Sequence, residues 1–215
     1  MKTIHTSGIL SLEPLGGGSQ WYWGSDYAQG DLYEAEELYR DGHPVNSNRL
    51  VFVHYPNGRV VEPIKGRAGQ YFGRPVFWNG KIWILLADFP EEQIRVLRYD
   101  DVENTVSTEV SLPRTEVEDC YNLLLCQSPL MLTRQANDGR FQILWPEKVD
   151  FAIGERESLI CRKGDTLYFS QWHEGPEGQD YREEVLARRY PTGEVREVIL
   201  GAWQGMPDGQ VWLLR

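Results

Sequence analysis

The chain has 215 residues, 41% of them hydrophobic and 25% charged, with a formal net charge of −10. That composition can fill a core, but an acidic chain with no Lys/Arg cluster offers no basic face to nucleic acid or to a polyanionic surface. No apolar run approaches the length of a membrane span, and Met1-Lys-Thr-Ile-His-Thr-Ser-Gly8 lacks the apolar stretch of a secretion signal, so a cytoplasmic protein without membrane partners is expected.

Strand signals dominate along the chain. The first unit has strands expected at 8–14 and 20–24, divided by Gly16-Gly17-Gly18, and at 49–55 and 59–64, where Leu50-Val-Phe-Val-His-Tyr55 turns at Pro56-Asn57-Gly58 into a hairpin. Residues 26–46 interrupt this unit as a partly helical insertion. Asp31 is placed to cap the helix, Leu32, Ala35, Leu38 and Tyr39 share a face, and Gly42 is placed to end it. The run Glu34-Ala35-Glu36-Glu37 reads as a solvated helix face, with partner docking as the alternative.

The second unit is the clearest, with strands expected at 75–78, 82–87, 93–99 and 105–112. Its first turn is Asn79-Gly80, a pair suited to the positive φ that a type I′ turn needs at both central positions. The third unit is degenerate. Its strands are expected at 121–126, 130–135 and 140–145, with Cys120 standing where the other units have a turn glycine. The fourth has strands expected at 158–162, 166–172, 184–190 and 194–200, and residues 201–215 hold two more.

Two patterns repeat at about 45 residues. One is a turn glycine followed by an aromatic or apolar strand, at Gly18, Gly80, Gly164 and Gly209; the other is a strand ending in a tyrosine turn, at Tyr55, Tyr99 and Tyr190. A repeat of that length built from short strands predicts an all-β fold, a small β-propeller forming a single domain over residues 1–215. Five blades are expected, the last closed by residues 2–6 beside 201–215 so that no sheet edge is left open. Four blades plus an extra hairpin is the alternative. Most of the eight tryptophans are expected to be wedged between blades. Cys126 and Cys161 lie in apolar runs and read as buried small hydrophobes. The odd total of three cysteines leaves room for one disulfide.

The units resemble those of β-propeller proteins of the kelch and WD-repeat kind. The resemblance rests on Gly16-Gly17-Gly18 ahead of Trp21 and on the repeat length. The Trp-Asp dipeptide of WD repeats and the Ser-x-Asp-x-Gly-x-x-Trp boxes of sialidase-like propellers are missing from the sequence. What the resemblance implies is a ring with a binding surface made of connecting loops.

The chain has no G-x-S-x-G, P-loop, H-E-x-x-H or EF-hand signature, and its four histidines have no metal-ligand spacing. His54, in mid-strand, reads as structural. Eight residues past the turn glycines stand Asp26, Asp88 and Trp172, the last followed by His173 and Glu174. If the repeat register holds, Asp26, Asp88 and Glu174 can converge, as acid and base for carbohydrate chemistry or as ligands for a cation such as calcium; the alternative is that each aspartate caps its own turn. Trp23, Tyr27 and Trp172 are candidates for stacking on a ligand. The leading expectation is a non-catalytic protein that presents a loop face to a protein partner or small ligand. A carbohydrate hydrolase or lyase using Asp26, Asp88, Glu174 or His173, and a structural subunit of a larger assembly, are the alternatives.

Overall fold

The computed structural model describes residues 1–27, 31–46, 48–176 and 179–215. The protein is built from antiparallel sheets in two compact units, Met1–Leu125 and Cys126–Arg215. Among the described residues no helix is long and apolar enough to cross a membrane.

In the first unit, β1 (Glu13–Pro14), β2 (Trp21–Ser25), β3 (Leu50–His54) and β4 (Arg59–Val61) form a meander in chain order. Helix α1 (Leu32–Arg40) is inserted between β2 and β3. As expected, Asp31 caps it: its Oδ1 accepts from the amides of Tyr33 and Glu34 at 2.9 and 3.0 Å. The buried face is Leu32, Ala35 and Glu36, and Leu38 is exposed.

The second sheet holds β5 (Gln70–Phe72), β6 (Val76–Trp78), β7 (Lys81–Asp88), β8 (Gln93–Asp100) and β9 (Thr105–Pro113). β5 and β6 share one partner: β6 pairs with the first half of β7, and β5, which lies outside the expected strands, pairs with the second half. Pro75 has no amide to give a ladder, and it falls at the break between them. The Asn79-Gly80 turn has φ of 48° and 75°, the positive values its sequence requires. β7 is apolar on both faces. Ile82, Ile84 and Leu86 join Trp21, Leu50, Phe52, Leu97 and Tyr99 in the core between the two sheets, and Leu85 and Ala87 are buried as well.

Strand β10 (Leu124–Gln127) spans the division between the units and opens the third sheet, continued by β11 (Leu130–Gln135), β12 (Arg140–Trp145) and β13 (Val149–Ala152). β11 and β12 match the strands expected at 130–135 and 140–145, but each stands one place earlier in its sheet than the Cys120 register puts it. Residues 121–123 are turn, Cys120 marks no hairpin, and the first turn of the sheet is Ser128-Pro129. An aromatic residue stands at or beside a strand end in each of the four larger sheets. Tyr55, Tyr99, Trp145 and Tyr190 stand 44, 46 and 45 residues apart, with Trp145-Pro146 filling the place of tyrosine in the third sheet.

The fourth sheet is β14 (Glu157–Lys163), β15 (Thr166–His173), β16 (Arg182–Arg189) and β17 (Val195–Leu200), close to the strands read from sequence. Phe141 and Phe169 meet edge to face at 5.0 Å in the core shared by the third and fourth sheets, with Met131, Ile143, Leu167 and Leu186. A buried ion pair lies beside it. Arg188 donates to both carboxylate oxygens of Glu157, at 2.9 and 2.7 Å, and to the Gly193 carbonyl at 2.6 Å.

Last come β18 (Ala202–Gly205) and β19 (Val211–Leu214), a two-stranded sheet. Residues 2–6 form no strand beside it. Lys2 instead reaches the carbonyls of Pro56 and Asn57 in the first sheet, so the expected mixed blade does not form. The tryptophans also depart from expectation. Trp21 and Trp83 are buried, but Trp78, Trp172, Trp203 and Trp212 are exposed, and two of these four lie on the last hairpin. All three cysteines are free. Cys120 and Cys161 are buried and Cys126 is partly so.

Candidate functional site

Two of the three aromatic candidates share one cavity. Trp23 on β2 and Tyr27, just beyond its end, line a hollow of about 340 Å³ in the first unit. Leu32 from α1, Phe72 from β5 and Leu123 add apolar wall, and Glu13 and Arg74 stand at its border as an ion pair of 3.0 Å. The volume lies at the small end of ligand cavities, and Ser11, Ser25, Asp31 and Asn122 add polar groups to the lining.

Local sequence explains the opening. Gly24 follows Trp23, and a Cβ there would sit 2.5 Å from the Ser11 carbonyl oxygen, so the strand can pass residues 9–12 only as glycine. Tyr27 meets Tyr71 edge to face at 5.3 Å, and Tyr71 in turn packs on Phe89. Burial, with the neighbouring acidic side chains Glu34 and Asp31 and the Tyr71 hydroxyl, raises the Tyr27 pKa, keeping it a neutral phenol. The indole Nε1–H of Trp23 is buried with no hydrogen-bond partner among the described residues. Such donors are rare in folded proteins, because an unsatisfied buried donor costs about 1–3 kcal/mol.

The wall formed by α1 and residues 120–124 is clasped by a residue that sequence reading misplaced. Glu36 is only 3% exposed, not part of a solvated face. It pairs with Arg114, accepts from Arg40 at 3.2 Å, and accepts the amide of Cys120 at 2.8 Å. The Cys120 thiol, also on the cavity wall, is pushed far above its ordinary pKa, by burial first and the Glu36 carboxylate second, so it is held as an unreactive thiol. The helical period of Glu36 relative to Leu32 was visible in the sequence; its distant partners were not.

The carboxylate candidates are engaged elsewhere. Asp88 is 1% exposed; its carboxylate accepts from Gln70 at 2.7 Å, Arg95 at 2.6 Å and the Glu91 amide at 3.4 Å. Asp26 accepts the Arg49 amide at 2.6 Å. Asp88 caps the turn after its strand through the Glu91 amide, as the capping alternative anticipated, whereas Asp26 ties the end of β2 to Arg49, 23 residues further on. Glu174 is exposed and belongs to the other unit. Among the described residues no group of three or more His, Cys, Asp or Glu is placed to hold a metal ion.

In the second unit, Trp172 is 40% exposed and stacks under the Arg156 guanidinium at 4.3 Å. Beside it His173 Nε2 lies 2.9 Å from Glu184, which also accepts from Arg182 at 3.0 Å. Those two partners hold the Glu184 carboxyl below the ordinary carboxylate range, the His173 bond first among the causes. The loop that follows, 172–181, includes residues 177 and 178, which lie outside the described residues, as do residues 28–30 and 47 of the insertion region.

Compared with protein-family models and with curated proteins, the chain matches none.

Proposed function

We propose that this chain is a non-catalytic binding protein whose first unit takes a small, planar, largely apolar ligand in the cavity lined by Trp23, Tyr27 and Phe72. The observation that carries this reading is a cavity with an aromatic wall, one of whose rings, Trp23, has a buried indole N–H with no partner among the described residues. A ligand that brings a carbonyl or similar acceptor would relieve that donor while its ring covers the aromatic wall. The meander sheets are, in this proposal, blades of a small β-propeller, four of them with an additional hairpin; the 44-, 46- and 45-residue spacing of the strand corners supports it.

The test is nuclear magnetic resonance of protein carrying ¹⁵N-tryptophan, titrated with a fragment set of neutral aromatic amides, ketones and acids. The Trp23 indole signal, assigned by its loss in Trp23→Phe, should shift saturably with at least one fragment class. If every fragment up to millimolar concentration leaves that signal in place, the cavity is not a ligand site and the proposal fails.

A further inference from the structure

We infer that the cavity between hairpin β18–β19 and the fourth sheet is a site for a single-ring aromatic carboxylate, the ring enclosed by the hairpin and the carboxylate held at Lys163. The cavity belongs wholly to the second unit and measures about 170 Å³. Apolar cavities of about 150 Å³ take up a benzene ring.

The floor is one face of the fourth sheet. Phe169 and Leu186, opposite each other on β15 and β16, join the core shared with the third sheet. Side chains alternate along a strand, so Tyr168 and Val185 point the other way. Cys161 pairs with Tyr168 and Ile199 with Val185, which carries that second face across all four strands. The roof is the hairpin. Trp203 pairs with Leu213 and Gly205 with Val211, which puts Trp203, Val211 and Leu213 on one face, and Trp212 completes the lining. The amide of Gly201 donates to the Glu183 carbonyl at 3.0 Å and ties the start of the hairpin to β16. Trp203 and Trp212 are 40% and 52% exposed, so the wall they form is at the surface and a ligand reaches it without opening the core.

Charge selects the polar end of the ligand. Of the described residues that line the cavity, Lys163 alone is charged. It is exposed at the end of β14 and has no ion pair among the described residues, since Asp165, two residues on, is engaged by Arg196 at 3.0 Å. Its ammonium is felt at the cavity wall: burial raises the pKa of the Cys161 thiol, and Lys163 works against that rise. A carboxylate at the mouth pairs with Lys163 while both stay partly in water, so little desolvation opposes the pair. A cationic ligand would meet the ammonium as a like charge, and a neutral ring would leave it unpaired. On a chain of net charge −10 anions are repelled elsewhere, so anion binding reports this site.

Titration of the whole chain, labelled with ¹⁵N-tryptophan, with benzoate, benzamide and acetate tests this. The indole signals of Trp203 and Trp212, assigned by Trp203→Phe and Trp212→Phe, are followed; Trp23, in the first unit, reports the other cavity separately. Benzoate should move both signals saturably with a Kd on the order of 1 mM, the range open to a ligand of so few atoms. Benzamide should bind about three- to fivefold more weakly, the worth of an exposed ion pair, and acetate should move neither signal. Lys163→Gln should bring benzoate and benzamide to the same Kd. Four results each overturn the inference: no shift up to about 20 mM benzoate, benzamide bound as tightly as benzoate, acetate moving the signals as benzoate does, or a preference that survives Lys163→Gln. Should Lys163→Gln unsettle the fold, the three-ligand comparison on the wild-type chain still decides.

Discussion

Replacing Glu36 tests the clasp that sets one wall of the cavity. Glu36→Ala removes three interactions at once: the ion pair with Arg114, the bond from Arg40 and the acceptor of the Cys120 amide. Arg40 is 61% exposed and Arg114 27%, so water can take over much of their solvation, and neither is charged the full penalty of an orphaned buried cation. The Cys120 amide has no such recourse, and a buried unpaired donor costs about 1–3 kcal/mol. Adding a modest share for the lost charge-assisted bonds gives a destabilisation of about 3 kcal/mol. Glu36→Gln keeps an acceptor for Cys120 and should cost less, about 1–2 kcal/mol. The assay is urea unfolding followed by fluorescence, fitted with separate transitions for the two compact units. The loss should fall on the first transition, and Glu34→Gln, on the exposed face of α1, should change it by less than about 0.5 kcal/mol. A loss below about 1 kcal/mol for Glu36→Ala, or equal losses for Ala and Gln, would refute the reasoning that the Cys120 amide depends on this carboxylate.

The buried Glu157–Arg188 pair makes the opposite demand, since both partners are shielded. Glu157→Gln should lower the stability of the second unit by about 3–5 kcal/mol, whereas replacing both residues by apolar ones should cost less than either single change; unfolding of the three variants checks the order. Glu184 has a pKa depressed by His173 and Arg182, so its contribution is complete above the ordinary glutamate value of about 4.3 and is lost as pH falls through its lower folded-state value. Glu184→Gln should therefore flatten the acid limb of the stability–pH curve below about pH 4.3 and leave its alkaline limb unchanged, measured by unfolding midpoints across that range. Gly193 has a φ of 73°, and a Cβ there would run into the Phe151 ring, so Gly193→Ala should cost at least about 2 kcal/mol in the same assay.

The sequence made the strands of the first, second and fourth sheets readable because their turns are chemically explicit. Asn79-Gly80 can hardly be anything but a tight hairpin turn, and Pro56-Asn57-Gly58 closes the next most visible one. In the third sheet the strands at 130–135 and 140–145 are equally legible, but their order is not, because Cys120 mimics a turn glycine and Trp145-Pro146 does not look like a tyrosine corner. The short strand Val149–Ala152 was lost with it. At the site, Trp23 and Tyr27 were legible as aromatics at a strand end. Their shared cavity depends on Phe72, Leu123 and α1, which reach it through tertiary packing that no local pattern encodes. Asp26 and Asp88 share a place in the repeat, yet each is spent on cross-strand partners that spacing does not reveal, Arg49 for the first and Gln70 and Arg95 for the second.

The order in which the strands pair has a consequence for how the molecule is assembled. In every sheet but the second, where β5 pairs with β7 across β6, neighbours in space are neighbours in the chain, so a meander can close from one short stretch with little loop entropy to overcome. The bond from Cys120 to Glu36 breaks that locality, bridging 84 residues. Tyr39 can stack on Phe89 earlier, but the Glu36 fastening of the helix waits until the second sheet has been made. In a chain emerging from the ribosome, the pocket wall would be among the last parts of the first unit to set, after the strands on either side were already in place.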